Sequence, residues 1–320
     1  MKEKGNDGLG KKKVQVLLST YNGEKYLDEL LKSVLSQDGV EINMLIRDDG
    51  SVDNTTASLL SYSKDHPNKI RFIKGSNLGV QSSFFELIKE ASEDYDYYAF
   101  CDQDDVWESN KLLRAVTLLH EQSEEIPLMY CSATSMVDEK LNFIGTWPSP
   151  PRRPMSMYNA LIENIAVGCT LVMNHKTMRL LKSSFPRTVS NVIMHDWWVY
   201  LCVSTFGKVI FDDEAHLLYR QHTDNVLGGQ STGTLKKWCR RIIRFISGKN
   251  KSIISNQASE FIQTYCHILS HNQKQEIERL LACRHNNIVN RFLYILNTPF
   301  YRQAWIDNIV FKIVYMAGRI

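Results

Sequence analysis

The segment 99–107 brings three carboxylates within four residues, at Asp102, Asp104 and Asp105. They follow an apolar stretch that is typical of a buried strand, and ligands bind at the ends of strands in open α/β sheets. Carboxylates this close repel one another unless they spread into water or share a hard metal ion. The pattern predicts either a divalent-cation site or a solvated acidic turn ahead of a helix that begins near Ser109.

A second acidic loop closes an earlier predicted strand. That strand ends in Asp48 and Asp49, and Gly50 then permits a tight turn. Asp53 or Asn54 can cap the helix that follows. Two acidic loops therefore stand at the ends of two predicted strands.

Alternating strand and helix patterns position these loops. Residues 14–19, 42–47 and 70–73 are rich in large apolar side chains, which predicts three strands. Amphipathic helices lie between them, and a helix that contains residues 84–88 leads to the strand before Asp102. This alternation predicts an α/β fold in which helices cover both faces of a parallel sheet.

Four motifs in this order resemble family 2 glycosyltransferases of the GT-A fold. The motifs are Ser19-Thr20-Tyr21-Asn22 with Leu27, Asp48-Asp49-Gly50-Ser51-Val52-Asp53, Asn77-Leu78-Gly79 and Asp102-Gln103-Asp104-Asp105. Segments 195–198 (His-Asp-Trp-Trp) and 219–222 (Tyr-Arg-Gln-His) are most similar to bacterial rhamnosyltransferase-like members. The resemblance implies a Rossmann-like, mostly parallel, nucleotide-binding sheet flanked by helices.

The resemblance also divides the chain. It covers roughly residues 14–230, with a nucleotide-sugar-binding half at 14–115 and an acceptor-binding half at 116–230. The Lys- and Gly-rich residues 1–13 are expected to form a flexible tail. Residues 231–320 fit no family pattern and read as a helical C-terminal region.

A transferase of this kind needs two acidic sites. The diphosphate leaving group requires a cation such as Mg²⁺ or Mn²⁺, and the acceptor hydroxyl must lose its proton. The resemblance implies that Asp104 holds the metal, that Asp102 contacts the metal or the ribose, and that Asp48 or Asp49 meets the nucleobase. Which of the latter two faces the base stays open. The other implied donor contacts are Thr20, Tyr21, Asn22, Gly50, Ser51, Asn77, Gln103 and Arg220.

Two further segments have open interpretations. In the GT-A fold a histidine after the base often completes the metal or diphosphate site, which implies this role for His222; the alternative is a solvated loop side chain. Arg220 beside it is suited to pair with phosphate oxygens. Gly168 resembles the glycine that lets the backbone approach the donor sugar, or is an ordinary strand glycine.

Asp196 is the candidate general base. It lies at the predicted start of a helix beside aromatic rings, and the family has an acidic base at this point in chain order. The alternative is an N-cap aspartate ahead of two core tryptophans. Many members have a second acid where His195 stands here, so its role is open. The implied acceptor contacts are His195, Trp197, Trp198 and Asp105.

Composition indicates a folded chain with a sizeable core, since 43% of its 320 residues are hydrophobic and 23% are charged. The net charge of +3 says little by itself, and no nucleic-acid partner is expected. Seven cysteines without the close pairing of a zinc site predict reduced thiols in a cytoplasmic setting. No apolar segment follows Met1, so we expect no secretion signal. We also expect no spanning helix, because the uncharged runs fall well short of about 20 residues.

A basic, amphipathic pattern follows the predicted catalytic domain. Residues 231–251 include seven Lys or Arg and no Asp or Glu. Helical periodicity places apolar and basic side chains of residues 235–246 on opposite faces. This predicts either a helix that lies on an anionic membrane at the inner, cytoplasmic face or a helix packed on the catalytic domain. Further helices are predicted in residues 252–320, one of them broken by Pro299.

Three functions compete. The first is an inverting, metal-dependent transferase that moves a sugar, by resemblance L-rhamnose from its dTDP derivative, to a hydroxyl of a bacterial surface polysaccharide or lipid-linked oligosaccharide. The second is a sugar-phosphate nucleotidyltransferase, but the loop at 19–23 lacks the basic residue of a triphosphate-binding loop. The third is a catalytically silent sugar-binding or scaffold protein, which we expect to have lost Asp104 or Asp196. Both are present.

Overall fold

The computed structural model describes residues 11–222, 252–283 and 286–320. Most of the predicted tail and the whole helix predicted at 235–246 lie outside these residues. The strands are β1 (Lys12–Thr20), β2 (Val40–Asp48), β3 (Ile70–Lys74), β4 (Tyr97–Cys101), β5 (Val106–Trp107), β6 (Leu128–Ser132), β7 (Thr134–Val137), β8 (Phe143–Trp147), β9 (Val172–Asn174), β10 (Lys208–Asp212) and β11 (Leu217–Arg220).

The helices alternate with these strands through the first two thirds of the chain and follow one another after them. They are α1 (Glu24–Leu35), α2 (Thr55–Asp65), α3 (Val80–Glu90), α4 (Lys111–His120), α5 (Met157–Ala160), α6 (His175–Ser183), α7 (His195–Phe206), α8 (Ile253–Tyr265), α9 (His271–Cys283), α10 (Ile288–Leu296) and α11 (Trp305–Met316). The expected helical C-terminal extension is therefore present, and Pro299 lies between α10 and α11 as predicted.

A seven-stranded sheet forms the centre, in the order β10-β6-β9-β4-β1-β2-β3. Its neighbouring strands are parallel except at β9, which runs antiparallel to both β4 and β6. The mostly parallel α/β fold is therefore confirmed. A second sheet, in the order β5-β11-β7-β8, brings the strand before His222 next to the acidic segment after β4.

Alternate side chains of each central strand enter two separate cores, as the period of two in a strand requires. In β4, Tyr98 and Phe100 pack into one core, whereas Tyr97, Ala99 and Cys101 pack into the other. Helices α1 and α4 supply the second core. Helices α3 and α7 and the C-terminal helices supply the first. Helices on both faces, as predicted, hold the sheet edge that carries the acidic loops.

The C-terminal helices are built into the first core. Trp198 of α7 is fully buried, with its ring centroid 5.6 Å from Phe261 and 6.0 Å from Tyr265 of α8. Among the described residues no helix is both long and apolar enough to cross a membrane. The domain boundary at residue 230 stays a prediction.

Candidate active site

The carboxyl ends of β1, β2 and β4 meet at one edge of the central sheet. Thr20 at the end of β1 lies in register with Asp48 at the end of β2, and β4 ends one residue before Asp102. Gln103 joins two of the loops: its Oε1 accepts from the Tyr21 N–H at 2.8 Å, and its Nε2 donates to the Tyr21 carbonyl at 3.0 Å. The structure thus brings the predicted donor loops together.

The Asp48 carboxylate is fully buried and organises its own loop. It accepts hydrogen bonds from the Ser51 hydroxyl, from the Ser51 N–H at 3.1 Å and from the Thr20 hydroxyl at 3.4 Å. Gly50 has a φ of +84°, and a Cβ there would lie 3.0 Å from the backbone nitrogen of Asn77. Only glycine fits this turn without strain.

The Asp49 carboxylate anchors the neighbouring turn. It pairs with Arg47 and accepts from the N–H groups of Leu78 at 2.9 Å and Gly79 at 2.8 Å. Asp48 and Asp49 are both turned inward, with at most 2% exposure. Their bonds shape the two loops, and a contact between either carboxylate and the nucleobase stays a prediction.

Exposed polar groups line the outer side of these loops. Asn22 adopts a φ of +49°, its N–H donates to the Ser51 hydroxyl at 2.9 Å, and its Oδ1 accepts from the Val52 N–H at 2.9 Å. Tyr21 is 45% exposed, and Asn77 is exposed as well. Of the predicted donor contacts, these side chains are the most exposed.

The acidic segment after β4 and the histidine after β11 are in direct contact. The His222 Nε2 lies 2.6 Å from Asp104 Oδ2, and both side chains are mostly buried. One carboxylate oxygen of Asp102, one of Asp105 and the Cys169 sulfur lie within 4.8 Å of one another. The second sheet therefore joins two segments that are separated by more than 100 residues of sequence.

The electrostatics of this cluster favour a cation. Desolvation and repulsion from Asp104 and Asp196 raise the pKa of Asp102 to about 7. Desolvation, Asp104 and Asp102 raise the pKa of Asp105 well above its ordinary value. Carboxylate oxygens are the donors that suit Mg²⁺ or Mn²⁺. The residues present thus fit a divalent cation, which would relieve this repulsion.

A buried lysine supplies positive charge beneath the cluster. Lys111 is 1% exposed, and its ammonium lies 3.4 Å from the centre of the Trp107 ring. Desolvation lowers its pKa to about 8, although Asp105 and Asp102 oppose that shift. Part of the acidic charge is therefore balanced from inside the fold.

The Arg220 guanidinium forms hydrogen bonds and an ion pair with the segments around Asp104. It donates to the Asp104 carbonyl at 2.9 Å and the Glu139 carbonyl at 2.8 Å, pairs with Glu29, and lies 4.4 Å from the Tyr26 ring centre. Its side chain is 3% exposed. In this arrangement Arg220 positions the acidic segment, and its contact with the donor phosphates stays a prediction.

Asp196 lies in the first turn of α7, two residues after the N-cap Met194. The N-cap alternative for Asp196 is therefore wrong. Its Oδ2 accepts from the Asn164 amide at 3.0 Å and its Oδ1 from the Trp197 N–H at 2.8 Å. Burial raises its pKa to about 6. Gly168 packs against it at the start of a 3-10 turn, not in a strand as one interpretation had it.

The residues predicted to contact the acceptor are mostly enclosed. The His195 ring stacks on Phe84 at 3.8 Å between centroids, and burial lowers its pKa to about 3, so the imidazole is neutral. Trp198 and Asp105 are at most 1% exposed. Trp197 is partly exposed and donates to a backbone carbonyl through its indole N–H. The structure does not bring Trp198 to the open edge of the sheet.

Sequence reasoning missed several residues that hold this site together. Asn164, Lys111 and Glu29 carry no motif, and a lysine in the first turn of a helix is usually exposed. The one sequence feature that pointed toward these residues was the glycine-containing segment at Gly168. It is close in sequence to Asn164 and includes Cys169, whose sulfur lies near Asp102 and Asp105. Their roles follow from contacts that the fold creates.

Comparison with known proteins agrees with this architecture. The family model described as "Glycosyl transferase family 2" matches residues 15–183. A dTDP-rhamnosyl transferase, RfbG of Shigella flexneri, is 28% identical over 264 residues, which are 75% of this chain and 87% of that protein. An uncharacterised glycosyltransferase of Nostoc is 34% identical over 216 residues, 67% of this chain and 66% of that protein.

Among solved structures, S. aureus TarS in complex with UDP-GlcNAc has a TM-score of 0.52 at 18% sequence identity, over 95% of this chain and 81% of that one. That likeness shows the GT-A fold. The family model covers more than half of this chain and includes the loops with Asp48, Asp49, Asp102 and Asp104. The chain therefore belongs to glycosyl transferase family 2.

Proposed function

We propose that this protein is an inverting glycosyltransferase that moves L-rhamnose from dTDP-L-rhamnose to a hydroxyl group of a bacterial surface polysaccharide or of its lipid-linked precursor. The observation that carries this proposal is the proximity of two distinct acidic sites. Asp196 packs against Gly168, and the sulfur of the adjacent Cys169 lies within 4.8 Å of one carboxylate oxygen of Asp102 and one of Asp105. A carboxylate suited to bind a proton thus lies beside a cluster suited to bind a cation.

The cation site would be formed by Asp102, Asp104 and His222. A divalent cation bound there would neutralise charge that develops on the leaving diphosphate. The exposed side chains of Tyr21, Asn22 and Asn77 would contact the nucleotide. The hydrogen bonds of Asp48, Asp49 and Gln103 would keep the donor loops in place before the nucleotide binds.

Asp196 would act as the general base. Its carboxylate would take the proton of the acceptor hydroxyl as that oxygen attacks the anomeric carbon from the side opposite the diphosphate, which inverts the configuration. Asn164 and the α7 backbone would hold the carboxylate in the orientation seen here. His195, neutral and stacked on Phe84, would support the start of α7 beneath the acceptor.

The choice of donor rests on the relative named as a dTDP-rhamnosyl transferase. A lipid-linked acceptor would lie at the membrane, so we place the enzyme at the cytoplasmic face, with residues 235–246 as a peripheral contact. That segment lies outside the described residues. A nucleotidyltransferase is disfavoured by the family match, and a catalytically silent protein is disfavoured by the presence of both Asp104 and Asp196.

A donor panel tests the proposal. Purified protein is mixed with dTDP-, UDP- and GDP-sugars, with Mn²⁺ or with a chelator, and followed by thermal unfolding. A ligand at a hundred times its dissociation constant stabilises the fold by about 2.7 kcal/mol. We expect the largest Mn²⁺-dependent shift with dTDP-L-rhamnose, and an inverted anomeric configuration in the product by NMR. Stronger stabilisation by another donor would replace rhamnose, and turnover without inversion would exclude the mechanism.

A further inference from the structure

Two C-terminal helices carry an unusual concentration of exposed apolar side chains. Of the 17 large apolar residues exposed in the described parts of the chain, eight lie on α10 and α11. We call them the α10–α11 face; they are Ile288, Val289, Phe292, Leu293, Leu296, Trp305, Ile309 and Ile313. Single exposed apolar residues are normal, but a cluster of this size indicates an interaction surface.

The two helices pack as an antiparallel pair with their inner sides on the first core. Arg291 near the start of α10 donates to the Met316 carbonyl at the end of α11, at 2.7 Å. Ile295, Phe311 and Tyr315 are buried. At 100° per residue the exposed positions of α11 lie opposite its buried ones. The α10–α11 face therefore points away from the protein interior.

Charge is distributed unevenly along the chain. Residues 286–320, which carry the face, contain four Lys or Arg and one Asp. The whole chain has 38 basic and 35 acidic residues, so the remainder has 34 of each. The segment that carries the apolar face therefore holds the whole net positive charge. An anionic surface complements it, whereas a second copy would bring like charges together.

We propose that the α10–α11 face docks on an anionic lipid bilayer, with both helices in the membrane plane and their exposed side chains in the headgroup region. Helices of this kind combine an apolar side with basic residues, and a tryptophan such as Trp305, 71% exposed, favours the interface. The inference adds a second surface to the membrane contact of the proposed function. It does not depend on the donor, the acceptor or the chemistry.

Vesicle sedimentation of the full chain tests the proposal at low salt, with phosphatidylcholine vesicles that contain or lack phosphatidylglycerol. The variant Leu293→Gln/Trp305→Gln/Ile309→Gln should bind anionic vesicles at least about tenfold more weakly than wild type. A matched control, Leu60→Gln/Ile126→Gln/Ile268→Gln, changes exposed apolar residues elsewhere and should bind as wild type does. The proposal is overturned if wild type does not bind anionic vesicles, or if the two variants behave alike.

A second measurement places the contact. Brominated lipids should quench tryptophan emission in wild type, and Trp305→Phe should lose most of that quenching; unchanged quenching would exclude Trp305 from the bilayer. In sedimentation velocity the wild type should show no self-association that depends on the α10–α11 face. If wild type formed a dimer and the triple variant did not, the face would bind a second copy of the chain instead of a bilayer.

The predicted membrane contact at residues 235–246 is tested separately, with the variant Lys237→Glu/Arg240→Glu/Arg241→Glu/Arg244→Glu. If this variant alone lost vesicle binding while the α10–α11 variant kept it, the α10–α11 face would not be the docking surface. Transfer to a soluble acceptor analogue should be the same in wild type and in the α10–α11 variant. An absence of transfer in both would count against the proposed function and not against docking.

Discussion

The carboxyl of Asp196 is costly to ionise, because little water reaches it. Burial raises its pKa to about 6, although the hydrogen bonds from Trp197 and Asn164 oppose the shift. The pKa of this carboxyl is higher in the folded state than its ordinary value of 3.8. The folded state therefore loses stability as the pH rises from 3.8 to about 6, and the loss persists at higher pH. At neutral pH Asp196 therefore destabilises the fold, which is typical of a functional group.

The substitution Asp196→Asn should separate function from stability. The amide keeps the shape of the side chain but cannot take a proton, so transfer should fall by about two to four orders of magnitude while donor affinity is retained. The urea unfolding midpoint at neutral pH should be no lower than that of wild type. In wild type, kcat/KM should fall tenfold per pH unit below about pH 6, where the base is protonated.

Steady-state kinetics, donor calorimetry and urea unfolding check these outcomes. Near-wild-type turnover in the variant would show that the base lies elsewhere, with Asp105 the next candidate and Asp224 outside the described residues. A lower unfolding midpoint at neutral pH would instead favour a structural role for the carboxylate.

The contact between His222 and Asp104 makes a second prediction at this scale. His222→Ala should weaken the Mn²⁺-dependent part of nucleoside diphosphate affinity at least about tenfold, and Asp104→Ala should abolish that part. Gln221→Ala, at the neighbouring position, is the control. Calorimetric titrations with Mn²⁺ and with chelator measure the difference. Equal affinities in every titration would remove both residues from the cation site, and a large fall in melting temperature with unchanged affinity would make His222 structural.

Sequence patterns predicted which residues gather at this edge of the sheet better than they predicted the surroundings of those residues, whose catalytic and binding roles stay predictions. Asp102, Asp104 and Asp196 stand in motifs that the chemistry itself explains. In contrast, Glu29 in α1 and Arg220 in β11 are 191 residues apart in sequence. They pair only because the second sheet brings β11 close to α1. Burial was equally hard to foresee, since Trp198 was placed beside the acceptor from its neighbours in sequence and faces the core in space.

At the scale of elements, the strands were predictable where they are long and apolar. The predicted strands at 14–19 and 70–73 lie within one or two residues of β1 and β3. The helix expected near Ser109 begins at Lys111. The antiparallel β9 was not predictable, because it has three residues and owes its direction to pairing with β4 and β6. The local sequence pattern therefore determines whether a segment forms a strand or a helix, whereas pairing in the folded sheet determines the direction of a short strand.

One helix positions the segment that leads into the candidate base. Glu260 of α8 accepts from the Thr188 N–H at 3.1 Å and from the Asn191 amide at 3.0 Å. Gln257, one turn earlier, accepts from the Ile193 N–H at 2.9 Å. Glu260 is 2% exposed, so its loss would leave buried donors unsatisfied. Helix α8 thus holds the approach to α7 and to Asp196.

The substitution Glu260→Ala should lower the free energy of unfolding by about 1–3 kcal/mol and reduce transfer, while donor affinity is retained. Glu260→Gln keeps an acceptor oxygen and should recover part of both. Glu278→Ala changes a half-exposed glutamate of α9 and should cost at most about 0.5 kcal/mol. Urea unfolding and transfer assays of the three variants make the comparison. Equal effects of Glu260→Ala and Glu278→Ala would contradict the role given to α8.

At the scale of the molecule, the C-terminal helices and the catalytic sheet share one apolar core. Leu17 of β1, Phe100 of β4, Phe261 of α8 and Tyr315 of α11 all belong to it. The sequence pattern predicted a domain boundary at residue 230, because the family motifs end there. Contacts such as that between Trp198 and Phe261 indicate that the described helices after that boundary unfold together with the sheet.

Phe261→Ala tests this cooperativity. Phe261 is fully buried, and its ring centroid lies 5.2 Å from Tyr265, 5.6 Å from Trp198 and 6.0 Å from Phe206. Removal of a ring from such a site costs about 3–5 kcal/mol, because a cavity remains. Phe292→Ala, at a 46% exposed position of α10, should change stability by at most about 0.5 kcal/mol.

Urea unfolding followed by far-ultraviolet circular dichroism and by tryptophan fluorescence should give one coincident transition for wild type and for both phenylalanine variants, at a lower midpoint for Phe261→Ala alone. Donor added at saturation should move that whole transition upward, because binding to the sheet edge stabilises everything that unfolds with it. Two separate transitions, of which Phe261→Ala shifts one and the donor the other, would restore the boundary at residue 230 as a true division between independently folding parts.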